Sequence, residues 1–287
     1  MTTAADVFEN AHCDLCGCNR HTLLLRKKDT TSYWRAKCAE DGLDPETEFP
    51  VVQCDDCGHV FISPRLKLPI VADIYARFWK KYQPTEIKAD AFALYLCRQL
   101  HALSGGGRLL DFGCGWGNYL AAARDVGFDG IGIEVDRAKV DFARSHGLTA
   151  VAGDLLDRTF PDNSFDAAIA QQVFEHLYDP APYLEELRRV LKPGGVLFLS
   201  VPNYGGLAAK FLGARWDMMS PVGHVRYFDR RTLGNFLVDH GFSLERKRYI
   251  RRFDRGAIKN LAYDAIVFLE NTLDLYPHSL ALYARKR

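Results

Sequence analysis

Leu109-Leu110-Asp111-Phe112-Gly113-Cys114-Gly115-Trp116-Gly117-Asn118 decides how this chain is read. A short apolar run ends in an acid, bends through three alternating glycines, and enters a helical pattern. Glycines after a strand let the backbone approach a ligand and aim free N–H groups at it. Many nucleotide-binding folds use such a turn, so its neighbours must settle which one this is.

Working outward, Gly130-Ile131-Gly132-Ile133-Glu134 is a second short strand ending in an acid, about twenty residues on, where a dinucleotide fold places its ribose-binding carboxylate. A third apolar stretch, Leu148 to Ala152, runs into Gly153-Asp154-Leu155. A fourth, Phe165 to Ala170, runs into Gln171-Gln172-Val173-Phe174-Glu175-His176-Leu177. A fifth, Val196 to Val201, follows Lys192-Pro193-Gly194-Gly195. Helical patterns lie between them: Leu120 to Val126, Arg137 to His146, and Tyr183 to Leu191 with Leu184, Leu187 and Leu191 on one face. Alternation of buried strands with amphipathic helices gives a parallel α/β sheet covered on both faces. Ligands of such sheets bind at the carboxyl ends of the strands, where all these acids stand.

Taken in order, these motifs resemble the class I S-adenosylmethionine-dependent methyltransferases, over roughly Leu66 to Arg287. The resemblance implies a Rossmann-like seven-stranded sheet closed by an antiparallel last strand, for which Leu280 to Ala284 is the candidate. It also implies S-adenosylmethionine as the methyl donor. Asp111, Gly113 and Gly115 would hold its methionine moiety, and Glu134 its ribose hydroxyls. Asp154 would take the adenine amino group beside the Leu155 N–H, and Gln171 would face the methionine end. Asp154 also reads as a helix N-cap, and Asp136 as the cap of the helix from Arg137. A nicotinamide enzyme would space its glycines G-x-G-x-x-G, one residue wider than here.

Cys13-Asp14-Leu15-Cys16-Gly17 and Cys54-Asp55-Asp56-Cys57-Gly58 are two further turns of one kind. Each presents two thiols, and two such knuckles make a tetrahedral sulfur site for structural zinc with Cys13, Cys16, Cys54 and Cys57 as ligands. Cys18, Cys38, His12 and His59 are spare candidates. Leu23 to Arg26, Ser32 to Arg35 and Phe49 to Gln53 read as strand pieces of a ribbon over residues 1–65, poor in apolar residues and so in need of a metal. Ser63 to Pro69 is the expected boundary with the methyltransferase part, residues 66–287. Some methyltransferases that act on sugars and other small metabolites carry a similar zinc-binding segment, including the pattern that here reads Cys54 to Pro64.

Chemistry needs a nucleophile and a way to deprotonate it. His176, just past the fourth strand, and His224, within Pro221-Val222-Gly223-His224-Val225-Arg226-Tyr227-Phe228, are the candidate bases. His224 lies in a long aromatic connection, 204–228, that reads as a lid or substrate loop. Ahead of the glycine turn, Ile70, Ile74, Phe78 and Tyr82 mark one helix and Leu96, Leu100 and Leu103 another, with Tyr75, Trp79 and Tyr82 as candidates to cover the donor. After Asp229 the pattern gives a helix to Gly241, a strand from Leu244 to Tyr249 and a helix from about Ala257 to Leu275. A basic run (Arg246, Lys247, Arg248, Arg251, Arg252, Arg255) reads as a solvated face.

Composition narrows the partners. With 37 basic against 36 acidic residues in 287, the chain carries no broad field for nucleic acid. No apolar run is long enough to span a membrane. With no signal peptide opening the chain, a reducing, cytoplasmic setting is expected. The expected acceptor is a small molecule, methylated at oxygen, nitrogen or carbon. The competing readings are a ribosomal RNA methyltransferase with a zinc ribbon and a non-catalytic scaffold whose zinc module recruits a partner. The oligomeric state stays open.

Overall fold

The computed structural model describes residues 4–79, 84–245 and 279–287. After a short helix α1 (Ala4–Val7), the N-terminal part carries β1 (Phe8–Glu9), β2 (His21–Lys28), helix α2 (Ser32–Asp41), β3 (Glu48–Cys54), β4 (Val60–Ile62) and β5 (Arg65–Leu66). Two helices follow, α3 (Leu68–Trp79) and α4 (Ala91–Ser104). The alternating part then runs β6 (Arg108–Phe112), α5 (Asn118–Val126), β7 (Asp129–Glu134), α6 (Arg137–Ser145), β8 (Thr149–Ala152), β9 (Phe165–Gln171), α7 (Ala181–Val190) and β10 (Leu191–Pro202). Helix α8 (Leu207–Leu212), β11 (Arg226–Tyr227), α9 (Arg230–Asp239), β12 (Phe242–Leu244) and β13 (Ser279–Lys286) complete the described chain.

The main sheet has the order β12-β13-β10-β9-β6-β7-β8. Strands β6 to β10 are parallel, and β13 runs antiparallel to both β10 and β12. Side chains alternate with period two. Leu110, Ala168, Leu197 and Leu199 pack against α7 and α9, while Leu109, Ala167, Ile169 and Phe198 pack against α4 and α5. Strand order reverses at β6, so a crevice opens at the carboxyl ends of β6, β7 and β9. The expected α/β sheet with an antiparallel last strand is thus present. Helix α6 is capped by Asp136, which accepts the Ala138 N–H at 2.9 Å, and α9 by an Asp229–Thr232 capping box.

One glycine is fixed by close packing rather than by its turn. A methyl group on Gly132 would come within 2.5 Å of Cys114 Sγ and 2.8 Å of Leu120 Cδ1. Gly132→Ala is therefore expected to lower stability by about 1–3 kcal/mol, read as a shift in the denaturant midpoint. An unmoved midpoint would show that the glycine turn yields freely.

In the N-terminal part β2, β3 and β4 form an antiparallel sheet. Leu23–Arg26 and Phe49–Gln53 lie in strands as expected. Ser32–Arg35 does not: it opens helix α2. Four residues rich in aromatics read as a strand, but Ala36 to Asp41 continue into good helix formers. Trp34 and Cys38, one turn apart, are both buried, and Gly42 ends the helix with φ +69°.

The expectation of a core-poor segment is also corrected. Trp34, Phe49, Val51 and Ile62 are fully buried, in one cluster with Trp216 and Tyr227 from the connection after β10. Strand β11 of that connection pairs with β4, so the four-stranded sheet crosses the division at residue 65. The connection 204–228 is therefore built onto the N-terminal sheet.

Residues 246–278 lie outside the described residues, and with them most of the expected strand to Tyr249, the helix from Ala257 and the basic run. So do Tyr82 and the side chains of Phe78 and Trp79.

Candidate active site and metal centre

At the crevice, the glycine turn is tied to β7. Gly113 and Cys114 N–H groups donate to the Ile133 carbonyl, and the Gly115 N–H donates to Glu134 Oε2 at 3.0 Å. The Asp136 N–H donates to Glu134 Oε1, also at 3.0 Å. Glu134 is thus fixed at the end of β7, and each oxygen keeps a further lone pair. Gly115 has φ +52°, and a Cβ there would project into open space beside this carboxylate. Gly113 has φ +72°, and its missing Cβ would meet Val173 Cγ2 at 2.6 Å.

Asp111 is 1% exposed, and its Oδ2 has no hydrogen-bond partner. Burial, then the nearby Glu134 charge, pushes its carboxyl up to about 8. Among the described residues no cationic side chain pairs with it, and a buried acid so placed suits a cationic ligand. Gln171 Oε1 and Trp116 Nε1 are likewise buried without partners on the same side of the fold. The Gly153 N–H donates to the Glu134 carbonyl at 3.0 Å, which holds the next loop against β7. There Asp154 caps a short turn over Leu155–Asp157, accepting from the Leu156 N–H at 2.9 Å and from Tyr183 Oη at 2.8 Å. Asp154 is thus an N-cap, its side chain closing a capping box with Asp157; Leu155 beside it is buried. Two buried carboxylates, the unpaired Gln171 amide oxygen and the open space over Gly115 fit S-adenosylmethionine, whose ammonium and sulfonium are cations and whose ribose offers two hydroxyls.

The fourth strand brings the second group of residues. Glu175 and His176 sit on a short turn, Phe174–His176, after β9, and His224 reaches them from the connection anchored by β11. The two imidazole rings lie 4.8 Å apart between centroids. His176 Nδ1 is 2.8 Å from the Gly223 carbonyl oxygen and 2.8 Å from Tyr75 Oη. A carbonyl oxygen can only accept, so the proton of neutral His176 belongs on Nδ1. Tyr75 Oη shares that N–H and is 3.5 Å from the same carbonyl, to which it can donate. His224 Nδ1 faces the Met218 carbonyl at 2.7 Å, with the same consequence. Each ring is left with an unprotonated Nε2.

The surroundings keep both rings neutral. Enclosure, then the neighbouring His224, lowers His176 well below its ordinary value, and enclosure lowers His224 too. About a third of the His176 side chain is open (32%), so a substrate can reach the ring. Glu175 is 1% exposed, and burial pushes its carboxyl up to about 8. Gln172, its amide nitrogen turned toward Glu175, donates to Oε1 at 3.2 Å, and Oε2 has no partner.

Glu175, His176 and His224 offer ligand atoms within 4.8 Å of one another. His176 Nε2 and Glu175 Oε1 are 3.9 Å apart, wider than the roughly 3.0–3.4 Å between two ligands of one cation bound at about 2.1 Å. The geometry favours acid–base chemistry there.

At the far end, the four knuckle cysteines converge as their spacing predicts. Cys13 and Cys57 Sγ atoms are 3.5 Å apart, as are those of Cys16 and Cys54, and all four lie within 4.8 Å. A zinc ion with bonds of about 2.3 Å sets its sulfurs about 3.8 Å apart. Gly17 and Gly58, both at φ +74°, close the two turns onto the Cys13 and Cys54 carbonyls. Burial works against ionisation of Cys54, yet backbone N–H groups of Cys57 and Asp56 bring it down to about 7. Among the spare candidates, Cys38 is buried with Trp34 and Phe49, the His59 ring packs between Phe61 and Phe228, and Cys18 turns to Arg20.

Of the expected site residues, Asp111, Gly113, Gly115, Glu134, Asp154, Leu155 and Gln171 gather at the ends of β6 to β9. His176 and His224 meet beside them. Tyr75, a candidate to cover the donor, has its hydroxyl 2.8 Å from His176 Nδ1. The Gly223 carbonyl and Tyr75 hydroxyl were not read as parts of the proton site. Glu175, which joins them, carries a local signal in its place next to His176 in Phe174-Glu175-His176.

A parallel sheet with this strand order, closed by an antiparallel strand and carrying acids at the ends of its first three strands, is the class I methyltransferase architecture. A family model for a methyltransferase domain matches residues 79–247. The chain belongs to the class I S-adenosylmethionine-dependent methyltransferase family. Curated relatives include a ubiquinone biosynthesis O-methyltransferase of Cereibacter sphaeroides, 35% identical over 124 residues, covering 39% of this chain and 49% of that protein. The matched region spans about half the length of the first curated relatives. Among solved structures, an S-adenosylmethionine-dependent methyltransferase from Archaeoglobus fulgidus superposes with a TM-score of 0.52 at 20% identity, over 74% of this chain and 99% of that one. A geranyl diphosphate C-methyltransferase from Streptomyces coelicolor gives 0.52 at 16% identity, over 76% and 98%. These two likenesses concern the fold.

Proposed function

We propose that this protein transfers the methyl group of S-adenosylmethionine to a small-molecule acceptor, with His176 as general base, His224 beside it, and zinc held structurally by Cys13, Cys16, Cys54 and Cys57. The reading is carried by one observation: two neutral imidazoles, each with Nδ1 facing a carbonyl and Nε2 left bare, meet just past the end of β9, the strand that pairs with the Asp111-bearing β6. When bound, S-adenosylmethionine supplies an electrophilic methyl group. Asp111, Gly113, Gly115 and Gln171 would hold its methionine end, Glu134 its ribose, and Asp154 with Leu155 its adenine. His176 Nε2 would take the proton of the acceptor's hydroxyl, amine or acidic C–H as the new bond to the methyl carbon forms. Alignment by the surrounding walls supplies much of the acceleration in such a displacement. The chain's near-zero net charge favours a small metabolite over RNA. Among the described residues, no helix is long and apolar enough to cross a membrane. A reducing, cytoplasmic compartment would keep the knuckle thiols available for metal.

Native mass spectrometry tests both modules together. The expected result is one zinc retained on purification and one donor or demethylated product added with S-adenosylmethionine. Zinc without donor binding would overturn the enzyme reading. Glu134→Ala is expected to weaken binding of S-adenosylhomocysteine by at least tenfold in titration calorimetry. Two charge-assisted hydrogen bonds, each worth about 1.5–3 kcal/mol, would be lost from the ribose. An unchanged affinity would move the ribose elsewhere.

A further inference from the structure

Asp29 lies in the N-terminal part, between β2 and α2, far in sequence from both histidines. It is 2% exposed, and its two oxygens accept four hydrogen bonds. Two come from Thr31, through its N–H and Oγ1. The other two reach across 191 and 193 residues of sequence: Ser220 Oγ at 3.0 Å and the Val222 N–H at 3.1 Å, both on Oδ2. The next residue is Gly223, whose carbonyl sits 2.8 Å from His176 Nδ1, and then His224. The same loop is packed closely from the N-terminal side. A Cβ on Gly223 would fall 3.0 Å from Tyr75 Oη and 3.6 Å from Tyr33 Oη, and Tyr33 Oη is 3.2 Å from Ser220 Oγ.

Burying a carboxylate is costly, and a buried polar group contributes geometry more readily than stability. Oδ2 of Asp29 gives both its bonds to the Ser220–Val222 segment, and the Ser220 carbonyl in turn accepts the Gly223 and His224 N–H groups at 3.0 and 2.7 Å, which carries the clamp on to the Gly223–His224 peptide. We infer that Asp29 is a positioning residue for methyl transfer: by clamping Ser220 and Val222 it aims the Gly223 carbonyl at His176 and fixes the imidazole proton on Nδ1, leaving Nε2 as the base. The inference rests on the reading of His176 as proton acceptor. The N-terminal part thereby takes a share in the site chemistry beyond its zinc.

The test reads the tautomer directly and needs no acceptor. Protein labelled with ¹⁵N-histidine, bound to S-adenosylhomocysteine, is examined by two-dimensional NMR, and the His176 signals are assigned by their loss in His176→Gln. In the wild type Nδ1 should resonate as a protonated, pyrrole-type nitrogen and Nε2 as a bare, pyridine-type one. Asp29→Asn places an amide NH₂ against donors, so both His176 signals should move toward the average of two exchanging tautomers. Ser220→Ala, which removes one of the two bonds, should move them part of the way. Zinc content and S-adenosylhomocysteine affinity report that each variant is folded. A folded Asp29→Asn protein with the wild-type tautomer would overturn the inference. If Asp29→Asn does not fold, Ser220→Ala decides alone, and a wild-type tautomer there would also overturn it. Failure of the base reading shows separately, as full turnover in His176→Gln with the tautomer result unaffected.

Discussion

Replacing His176 by glutamine is expected to slow methyl transfer by about 10²–10⁴-fold, the range a positioned general base supplies, with donor affinity unchanged. Glutamine keeps the approximate length of the side chain and a polar end but cannot take up a proton at neutral pH. The measurement is single-turnover methyl transfer to an acceptor found by screening, alongside calorimetric binding of S-adenosylhomocysteine. The split between the two readouts matters. A base acts only on the transition state, so its loss should appear in kcat and leave donor binding alone. His224→Gln should show a smaller loss, because His176 keeps its own Nδ1 contact with the Gly223 carbonyl. Retained turnover in both variants would remove proton transfer from the role of this pair.

The pH dependence carries a sign that separates this site from an ordinary histidine. Both imidazoles are shifted downward, His176 by its enclosing walls and then by His224, His224 by its enclosing walls. The active, neutral form should therefore persist below the usual histidine range, and the acid limb of kcat/KM should fall below pH 6.5. The same shift contributes to folding in a defined direction. Below pH 6.5 the unfolded chain binds a proton that folded His176 refuses, so this group's contribution to stability is present above that pH and is lost as pH falls. Glu175 acts oppositely. Its carboxyl, raised to about 8 by burial, keeps a proton that the unfolded chain releases near 4.5, so its contribution is full below 4.5 and is lost as pH rises toward 8. An acid limb centred at 6.5 or above would show that the base is a solvated histidine elsewhere.

The gathering of the proposed donor residues was legible because they stand at strand ends within short stretches of chain. Asp111, Glu134 and Asp154 each close an apolar run, and parallel-sheet geometry alone places such residues around one crevice. The cysteine knuckles were legible for a related reason, since each turn is a local device and the two copies announce a common ligand. The acceptor side was only half legible. His176 and His224 stood out as residue types, but what makes them one site is contact across the chain: Tyr75 Oη to Gly223, 148 residues apart, and Asp29 to Val222, 193 residues apart. An aspartate followed by two threonines in a loop carries no local sign of such a task. The misreading of Ser32–Arg35 had the same cause at shorter range, because its helix is decided by the residues after it and by the burial of Trp34.

Asp14→Asn is expected to destabilise the fold by about 3–5 kcal/mol, the cost of stripping the partner from a buried charge. Arg226, on β11, has no exposed side-chain surface. Its Nη2 donates to Asp14 Oδ2 at 2.8 Å and to the Leu177 carbonyl, while Nε and Nη1 have no partner. Burial lowers its pKa to about 10, with the Asp14 charge opposing, so it remains a cation at neutral pH. Arg65 also reaches Asp14, at 3.3 Å, but keeps Glu9 at 2.9 Å when Asp14 is neutralised; among the described residues Arg226 forms an ion pair only with Asp14, Asp179 acting on it from farther off. The measurement is denaturant unfolding with metal content determined on the same sample, because Asp14 sits between Cys13 and Cys16, two of the proposed zinc ligands. Zinc retained with a loss under about 1 kcal/mol would mean that water reaches Arg226 and the pair is a surface one. If the pair is buried as described, Asp14→Leu combined with Arg226→Met should recover much of the loss, since a well-packed apolar pair replaces a buried ion pair at little cost. That double variant should still lose turnover. It removes the guanidinium that ties the zinc knuckle to the Leu177 carbonyl, one residue after His176, so stability and catalysis should part company at Arg226.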